Sequence, residues 1–431
     1  MRILVITHSY YPKHDPRAFR WSAVCEHWAQ NGIIVDVVCA YANATLARFE
    51  QIRGVNVYRV VDPSQRFVPV GSASTGYQTA SSKTSSWLGK IKQFAHPIIK
   101  KIVITLRWPD YAWLWIPGAY RQIVRLVKTH HYDGIFSSAV PFSSHIPVMM
   151  LGQKRKNISW VCDYGDPFSC LRELPMNNTK LYQGLNRWVE SKVINASKKI
   201  SVTTRETAQE YIKYLGVCDK WLHVIPPLVK SNYIYLDRYE KEEESLEEKI
   251  IHLVFAGTLY AKIRNPRFLL ELLSEIHVKM TSPKFIIHFY GKIGDCEQEF
   301  EPYKKAINDW IYFHGSVDRD QLIKVYRSAD ILVNIGNTTT YQVPSKVIEY
   351  MSTGLPILNI TSVANDSSIL MLQSYPSVLT LSQNAGVTEK IVDEFCLFMK
   401  QSQNVDREVV EDILRQYQPT TIANAYLSLL S

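Results

Sequence analysis

Ile3-Leu-Val-Ile6 and Ile33-Ile-Val-Asp-Val-Val38 are two short apolar runs, separated by a helix-like stretch from about Ala18 to Asn31. Apolar runs of this length predict buried strands. Gly32 stands where a helix C-terminal cap belongs, so the intervening helix ends there. Two apolar strands joined through a helix pair in parallel, and helices cover both faces of their sheet. The opening segment therefore predicts a doubly wound α/β unit.

The same alternation of apolar runs and helix-like stretches continues along the chain. Further candidate strands lie at residues 55–60, 134–137, 159–162, 199–203, 223–225, 252–256, 285–290, 311–314, 331–335 and 357–360. Candidate helices lie at residues 266–279, 319–328 and 345–352. A charged run at residues 239–249 divides the two series of elements, as an interdomain connection would.

The length of 431 residues exceeds the size at which one hydrophobic core keeps growing. We therefore predict an α/β protein of two Rossmann-like, doubly wound parallel-sheet domains, residues 1–235 and 236–405. The final segment, residues 406–431, is predicted to be helical and to pack back across the hinge. Folds of this class bind ligands at the carboxyl ends of their strands, so the two domains are expected to face a central cleft.

The formal net charge of +9 is concentrated between residues 83 and 131, where Asp110 is the single acid. The cations there are Lys83, Lys90, Lys92, Lys100, Lys101, Arg107, Arg121, Arg125 and Lys128, and Trp87, Phe94, Trp108, Trp113 and Trp115 lie among them. Basic and aromatic side chains in one segment suit the headgroup layer of an anionic membrane. A basic surface helix beside a buried aromatic cluster is the alternative.

The seven cysteines are scattered, without a Cys-x-x-Cys pair or the spacing of metal ligands, which predicts reduced thiols. The apolar run after Met1 is too short for a signal peptide, and no run approaches the ~18 apolar residues of a membrane span. We therefore expect a cytoplasmic protein that is peripheral to the inner face of the cell membrane.

The segment Tyr341-Gln-Val-Pro-Ser-Lys-Val-Ile-Glu349 follows a predicted strand and opens a predicted helix, with Pro344 and Ser345 at the helix start. Free N–H groups at a helix N-terminus bind a diphosphate well. Lys346 opposes the helix dipole there, which a bound anion would explain, and Glu349 could accept hydrogen bonds from a ribose diol. An ordinary strand-loop-helix junction explains the same pattern without a ligand.

Four segments in the second half resemble the donor-binding half of glycosyltransferase family 4. They are Val254-Phe-Ala-Gly-Thr-Leu-Tyr260, Phe313-His-Gly-Ser-Val317, Tyr326-Arg-Ser-Ala-Asp-Ile-Leu-Val333 and Pro344-Ser-Lys-Val-Ile-Glu-Tyr-Met-Ser-Thr-Gly-Leu-Pro-Ile357. In the first half, Pro109-Asp-Tyr-Ala-Trp-Leu-Trp-Ile-Pro117, Ser137-Ser-Ala-Val-Pro-Phe-Ser-Ser-His145 and Trp160-Val-Cys-Asp-Tyr-Gly-Asp-Pro167 are similar to members that assemble bacterial surface polysaccharides. The resemblance implies retaining enzymes of the GT-B fold.

For the donor side, the resemblance implies that Gly257 and Thr258 lie against the donor and that Lys262 and Arg264 neutralise its departing diphosphate. Exposed loop charges are the alternative for these two cations. Many family members carry two glutamates seven residues apart, the first for the sugar and the second for the ribose. Glu349 fits the second place and Tyr341 occupies the first, which leaves recognition of the donor sugar open.

On the acceptor side, Arg17 and Arg20 stand in a loop where the family usually has paired glycines, and a surface role is equally compatible with them. Asp163 and Asp166 flank Gly165 after a predicted strand, where they could position the acceptor hydroxyl, Asp166 as a catalytic group. A turn and cap role before Pro167 is the alternative. His145 is an acceptor-side candidate for which a structural role is the other interpretation.

These residues predict a retaining transferase that moves a sugar from a UDP- or GDP-sugar to a lipid-linked or glycan acceptor in bacterial surface polysaccharide synthesis. No metal or other cofactor is expected, because the resemblance implies metal-independent catalysis. A catalytically inactive nucleotide-sugar-binding or scaffold protein is the alternative, motivated by Tyr341. Nucleic acid is not expected as a partner, since no nucleic-acid-binding motif accompanies the basic segment.

Overall fold

The computed structural model describes residues 1–13, 15–41, 46–64, 105–171, 175–229, 235, 250–279, 284–340 and 346–430. The chain divides into two compact units, Met1–Leu228 with Pro419–Ser431, and Val229–Gln418. The division falls a few residues before the predicted boundary at 235, and the predicted tail is itself divided at Pro419. The charged run at residues 239–249 lies outside the described residues.

Each unit has one β-sheet. The strands of the first are β1 (Arg2–Ile6), β2 (Ile34–Ala40), β3 (Phe49–Ile52), β4 (Val55–Val60), β5 (Gly134–Ser138), β6 (Ser159–Tyr164), β7 (Ile200–Val202) and β8 (Leu222–Val224), in the order β3-β4-β2-β1-β5-β6-β7-β8. The strands of the second are β9 (Ile250–Ala256), β10 (Lys284–Tyr290), β11 (Ile311–Gly315), β12 (Ile331–Ile335), β13 (Ile357–Thr361) and β14 (Val378–Ser382), in the order β11-β10-β9-β12-β13-β14. Every described pair is parallel except β3 with β4, which confirms the predicted α/β class.

Helices alternate with these strands. They are α1 (Pro16–Gln30), α2 (Ile116–Thr129), α3 (Ile146–Met149), α4 (Thr179–Ser197), α5 (Arg205–Leu215), α6 (Arg267–Lys279), α7 (Glu297–Phe300), α8 (Arg319–Ser328), α9 (Lys346–Met351), α10 (Ser367–Leu372), α11 (Glu389–Gln401), α12 (Arg407–Leu414) and α13 (Pro419–Ser428). Among the described residues, none of these helices combines the length and the apolar composition needed to cross a lipid bilayer.

The start of α1 follows from its sequence. The Asp15 carboxylate accepts hydrogen bonds from the backbone N–H groups of Arg17 and Ala18, at 3.0 and 2.9 Å, and Pro16 occupies the first turn. Capping satisfies donors that a helix cannot satisfy itself. Trp28 on the buried face donates from Nε1 to the Ala423 carbonyl at 3.0 Å. The last helix, α13, is therefore part of the first unit's core.

Strand order places a switch point in each sheet. In the second sheet, β10 and β11 continue from β9 on one side, while β12, β13 and β14 lie on the other. Connections that leave β9 and β12 in opposite directions open a crevice at their carboxyl ends. The corresponding point in the first sheet lies between β1 and β5. These two edges are where polar side chains that act on a ligand are expected.

Candidate functional site

The loops that follow β9 and β12 meet at the switch point of the second sheet. The backbone N–H of Thr338, after β12, donates to the Ile263 carbonyl, after β9, at 3.0 Å. The Thr338 hydroxyl also donates to the Lys262 carbonyl at 3.2 Å. Lys262 itself is exposed, so its ammonium group lies in solvent beside this contact between the two loops.

Arg264 also connects the loops that follow β9 and β12. Its guanidinium donates to the Thr258 carbonyl at 3.3 Å and to the Asn337 side-chain oxygen at 3.0 Å, whereas its buried Nε has no partner. Burial lowers the pKa of Arg264, because the charged form loses solvation that nearby groups do not fully replace. Within the described part of the chain, Arg264 forms no salt bridge. A cation held in this way favours an anionic ligand.

Asp366 was not among the site residues predicted from the sequence. It caps α10 by accepting a hydrogen bond from the Ser368 N–H at 2.8 Å, and its second oxygen, Oδ2, is buried without a partner. That oxygen lies so close to Gly336 that a Cβ there would be 2.2 Å from it. Burial raises the pKa of Asp366, and Arg264 opposes that rise. Asp366 and Arg264 thus influence each other electrostatically beside the Gly336 loop.

Gly257 begins the loop after β9 and is held against the neighbouring strand. Its N–H donates to the Tyr290 carbonyl at 2.8 Å. Gly291 follows β10 with φ +122°, and a Cβ on it would lie 2.0 Å from the Gly257 carbonyl oxygen. Glycine at 291 therefore permits the close approach of two strand ends, which fixes the position of Gly257 and Thr258.

Glu349, Lys346 and Tyr326 form a second polar cluster in this unit. The Lys346 ammonium donates to both Glu349 oxygens, at 3.0 and 3.1 Å, and the Tyr326 hydroxyl donates to Oε1 at 3.0 Å. Both charged side chains keep about a third of their surface exposed, 32% for Lys346 and 28% for Glu349. Glu349 therefore retains accessible acceptor capacity, and Lys346 is partly neutralised by it. The other predicted donor-side residues of this segment, Tyr341, Pro344 and Ser345, lie outside the described residues.

Asp163 is the centre of a buried network in the first unit. Its carboxylate accepts hydrogen bonds from four donors: Trp21 Nε1 at 3.2 Å, Ser138 Oγ at 3.1 Å, Ser201 Oγ at 2.9 Å and Tyr426 Oη at 2.7 Å. Burial alone would raise the pKa of Asp163, but the charges of Arg20 and Arg17 together with the hydrogen bonds from Tyr426 and Ser201 lower it below its ordinary value. The carboxylate therefore ties three strand ends to α1 and α13. A role toward an acceptor stays a prediction.

The two predicted arginines of the first loop differ in environment. Arg20 is buried and donates to Tyr426 Oη at 2.9 Å and to the carbonyls of Pro226 and Ile225 at 2.6 and 3.1 Å. Its donors are therefore used within the protein. Arg17 is only partly buried, with its Nη1 3.6 Å from Asp163 Oδ2. Of the two, Arg17 is the one with donors left for a ligand.

Substituting Gly165 by alanine should displace Arg17, because a Cβ at Gly165 would lie 0.6 Å from Arg17 Nη2. We expect a loss of less than about 1 kcal/mol in the free energy of unfolding, because the atoms that must move are the far end of a flexible, partly exposed arginine side chain. Urea denaturation measures it. Gly184→Ala is the matched control: it lies inside α4 with nothing within 4 Å of a Cβ and should stabilise the helix by about 0.5–1 kcal/mol. A loss of more than about 3 kcal/mol would contradict this picture, because it would mean that Arg17 cannot move aside.

Asp166 and His145 are placed differently from each other. Asp166 is half-buried, in the turn after β6, so its carboxylate can reach solvent. His145 is fully buried, its Nδ1 lies 2.7 Å from Ser137 Oγ, and burial lowers its pKa to about 3. A neutral, enclosed imidazole at that position packs on Phe142 and Tyr164. The structural interpretation of His145 is the one that this environment favours.

A further pair that was not predicted from the sequence, His8 and Asp62, includes a residue at the carboxyl end of β1. His8 Nε2 is 2.8 Å from Asp62 Oδ2, and both residues are buried. Burial lowers the pKa of His8, although Asp62 acts in the opposite direction. Tyr111 and Trp115 enclose the ring edge-on, with centroids 5.7 and 5.4 Å away. His8 stands two residues after the predicted strand at residues 3–6, and this position could have marked it as a candidate site residue.

Two family models match the chain in succession. The model described as Glycosyltransferase Family 4 matches residues 84–232, and the model described as Glycosyl transferases group 1 matches residues 251–369. The first falls almost entirely in the unit that holds Asp163 and ends four residues beyond it, and the second includes Arg264 and Glu349. The resemblance inferred from the sequence motifs is confirmed.

Solved structures share the fold over nearly the whole chain. A sucrose-phosphate synthase from Thermosynechococcus elongatus is similar with a TM-score of 0.63 at 11% identity, covering 99% of this chain and 97% of its own. The Anabaena protein HepE in complex with UDP and glucose gives 0.61 at 11%, covering 99% and 98%. The lipopolysaccharide outer core galactosyltransferase WaaB gives 0.57 at 10%, covering 100% and 99%. The fold is that of the GT-B glycosyltransferases, as predicted.

Proposed function

The chain is a glycosyltransferase with a Family 4 region and a group 1 region, and we propose that it transfers a sugar from a UDP- or GDP-sugar with retention of configuration. The observation that carries the donor proposal is Arg264, an arginine at the switch point of the second sheet that has a buried, unpartnered Nε. HepE, which shares the fold, was solved in complex with UDP and glucose, and this supports a nucleotide-sugar donor.

In this proposal, charge develops on the diphosphate as the bond to the sugar breaks. Arg264 stabilises that charge, since a fixed cation in a poorly solvated site acts strongly on it. Lys262 and Lys346 add positive charge in the same unit. Glu349 accepts hydrogen bonds from the ribose hydroxyls of the nucleotide. The leaving diphosphate can itself take the acceptor proton on the face where the acceptor attacks. No protein base is then required, and Asp166 positions the acceptor hydroxyl.

The proposed acceptor is a lipid-linked or glycan intermediate of bacterial surface polysaccharide synthesis. Support comes from WaaB, a galactosyltransferase of the lipopolysaccharide outer core that has the same fold. We also propose that the reaction needs no metal, because the cations that the diphosphate requires are supplied by side chains. The proposed location is the cytoplasmic face of the cell membrane, where a lipid-linked acceptor would be presented.

The test is to incubate the purified protein with a panel of UDP- and GDP-sugars, with and without added membrane lipid, and to follow release of the nucleotide. We expect release from one donor, and the same rate in EDTA. Proton NMR of the product should show the anomeric configuration of the donor. Absence of release from every donor and acceptor mixture would favour the non-catalytic, nucleotide-sugar-binding alternative.

Glu349→Gln should raise the KM for the donor roughly tenfold to a hundredfold, since a hydrogen bond to a charged group contributes about 1.5–3 kcal/mol. Steady-state nucleotide release measures it. Glu411→Gln, which replaces a glutamate paired with Arg407 on the surface of α12, is the control and should leave KM unchanged. If Glu349→Gln changed KM by less than twofold, the ribose contact would be wrong. A fall in thermal stability would reveal a structural role through Lys346 and Tyr326.

A further inference from the structure

Helix α4 exposes an apolar stripe on its outer face. Leu181, Leu185 and Trp188 are exposed to 55, 40 and 57%. Their spacing of four and then three residues places them on one side of the helix. Large apolar side chains are ordinary on a surface when isolated, but three in line on one helix form a continuous patch. The patch is therefore suited to contact with an apolar or interfacial partner.

Cations accompany this stripe on α4, and no exposed acid of α4 does. Lys180, Arg187 and Lys192 are exposed on α4. The single acid of the helix, Glu190, is turned into the core, where the Ser169 N–H at 2.8 Å and the Tyr211 hydroxyl at 2.9 Å donate to it. We call the three apolar and three cationic side chains the α4 face. Its charge complements an anionic partner.

Neighbouring elements extend the α4 face. The Arg187 guanidinium lies 5.2 Å from the ring centroid of Tyr214 on α5. At the other end of the face, the Tyr182 hydroxyl donates to the Leu106 carbonyl at 2.8 Å, and Leu106 is itself 56% exposed. In the sequence, Leu106 lies two residues after residue 104, and residues 83–104 of the basic and aromatic segment lie outside the described residues. Leu106 therefore adds an exposed apolar side chain at this end of the α4 face.

We infer that the α4 face docks on an anionic lipid bilayer. Leucine and tryptophan side chains enter the boundary between headgroups and acyl chains, and lysine and arginine contact lipid phosphates. The absence of exposed acids on α4 removes the repulsion that an anionic surface would otherwise meet. The inference rests on the proposed function for its biological sense, because a docked first unit would lie where a lipid-linked acceptor is presented.

The test is co-sedimentation of the full chain with vesicles of phosphatidylcholine alone or with about 30% phosphatidylglycerol, an anionic lipid. We expect binding to the anionic vesicles only. Leu185→Ser with Trp188→Ser, and separately Lys180→Glu with Arg187→Glu, should each weaken it by at least about tenfold. The matched control is Leu397→Ser on α11, a leucine that is 53% exposed but has Asp393 and Glu394 nearby in sequence. It should bind as the natural protein does.

Unchanged vesicle binding by both double variants would overturn the inference that the α4 face docks on a bilayer. A lack of binding of the natural protein to anionic vesicles would overturn it as well. A dimer in light scattering that the apolar double variant abolishes would identify a second copy as the occupant and also contradict the inference. All substituted positions are exposed, so thermal melts should match that of the natural protein. Nucleotide release without lipid is scored separately. Release with no vesicle binding would reject the docking face and leave the proposed function standing.

Discussion

Replacing Arg264 by glutamine should lower kcat for sugar transfer by about 10²- to 10³-fold, the usual effect of removing one fixed donor to developing negative charge. Glutamine can still hydrogen-bond to Thr258 or Asn337, so the contact between the two loops should persist while the charge is lost. Because the interaction strengthens as the diphosphate leaves, kcat should fall more than the affinity for the donor. Steady-state rates of nucleotide release measure both.

Arg267→Gln is the control for this experiment. Arg267 lies in the first turn of α6 and its Nε is 2.9 Å from Glu299 at the surface, so its charge is already paired. It should change kcat by less than twofold, as expected for an exposed ion pair. A decrease of similar size in both variants would mean that Arg264 acts through general electrostatics or stability. Added guanidinium should partly restore the Arg264→Gln rate and leave the control unaffected.

Asp163→Asn should destabilise the protein by about 3–5 kcal/mol, the range seen when one partner of a buried ion pair is removed. Arg20 would remain buried beside a neutral amide, and Arg17 would lose its carboxylate. Urea denaturation followed by far-ultraviolet circular dichroism measures the change. Asp166→Asn, three residues away and half-buried, should cost less than about 1 kcal/mol and instead lower transfer activity.

The effect of Asp163 should depend on pH in one direction. Its pKa is lowered in the folded protein from an ordinary value of 3.8, so the folded state favours the ionised form. The stability that it contributes is therefore present above about pH 4 and is lost as the pH falls through the lowered pKa. The difference between the natural protein and Asp163→Asn should shrink below about pH 4. A constant difference from neutral pH down to about pH 3 would contradict the ionised network.

The sequence predicted those strands that are apolar and buried. The run at residues 331–335 matches β12, which is buried at every residue. The run at residues 55–60 matches β4, in which buried and half-buried residues alternate. The strand β14 was missed, since one of its five residues is buried, and so was β3. In β3 three of the four residues are exposed, and its sequence Phe-Glu-Gln-Ile has no continuous apolar run. Its pairing with β4 is the one antiparallel pair described. An exposed edge strand of this kind forms because it pairs with a neighbouring strand, and its own sequence carries no apolar pattern that would predict it.

The candidate site was predictable where it is local in sequence. Lys346 and Glu349 are three residues apart on one helix, and Arg264 lies in the loop directly after an apolar strand. Asp366 was missed, because its closeness to Gly336 depends on how β12 and β13 pair. The surroundings of Asp163 were equally hidden, since Tyr426 donates to it from 263 residues away. Packing between residues far apart in the chain determines those contacts, and a local sequence pattern carries no information about it.

We propose that Arg264 and Glu349 hold a nucleoside diphosphate at the carboxyl edge of the second sheet, an arrangement that binding measurements can check. Its most direct test is isothermal titration of UDP and of GDP into the natural protein, Arg264→Gln and Glu349→Gln, with Glu411→Gln as the control. We predict a Kd below about 1 mM for one of the two nucleotides, an ordinary range for enzyme ligands, at least tenfold weaker binding in both site variants, and unchanged binding in the control. Binding of neither nucleotide by the natural protein, or equal binding by all four proteins, would contradict the claim.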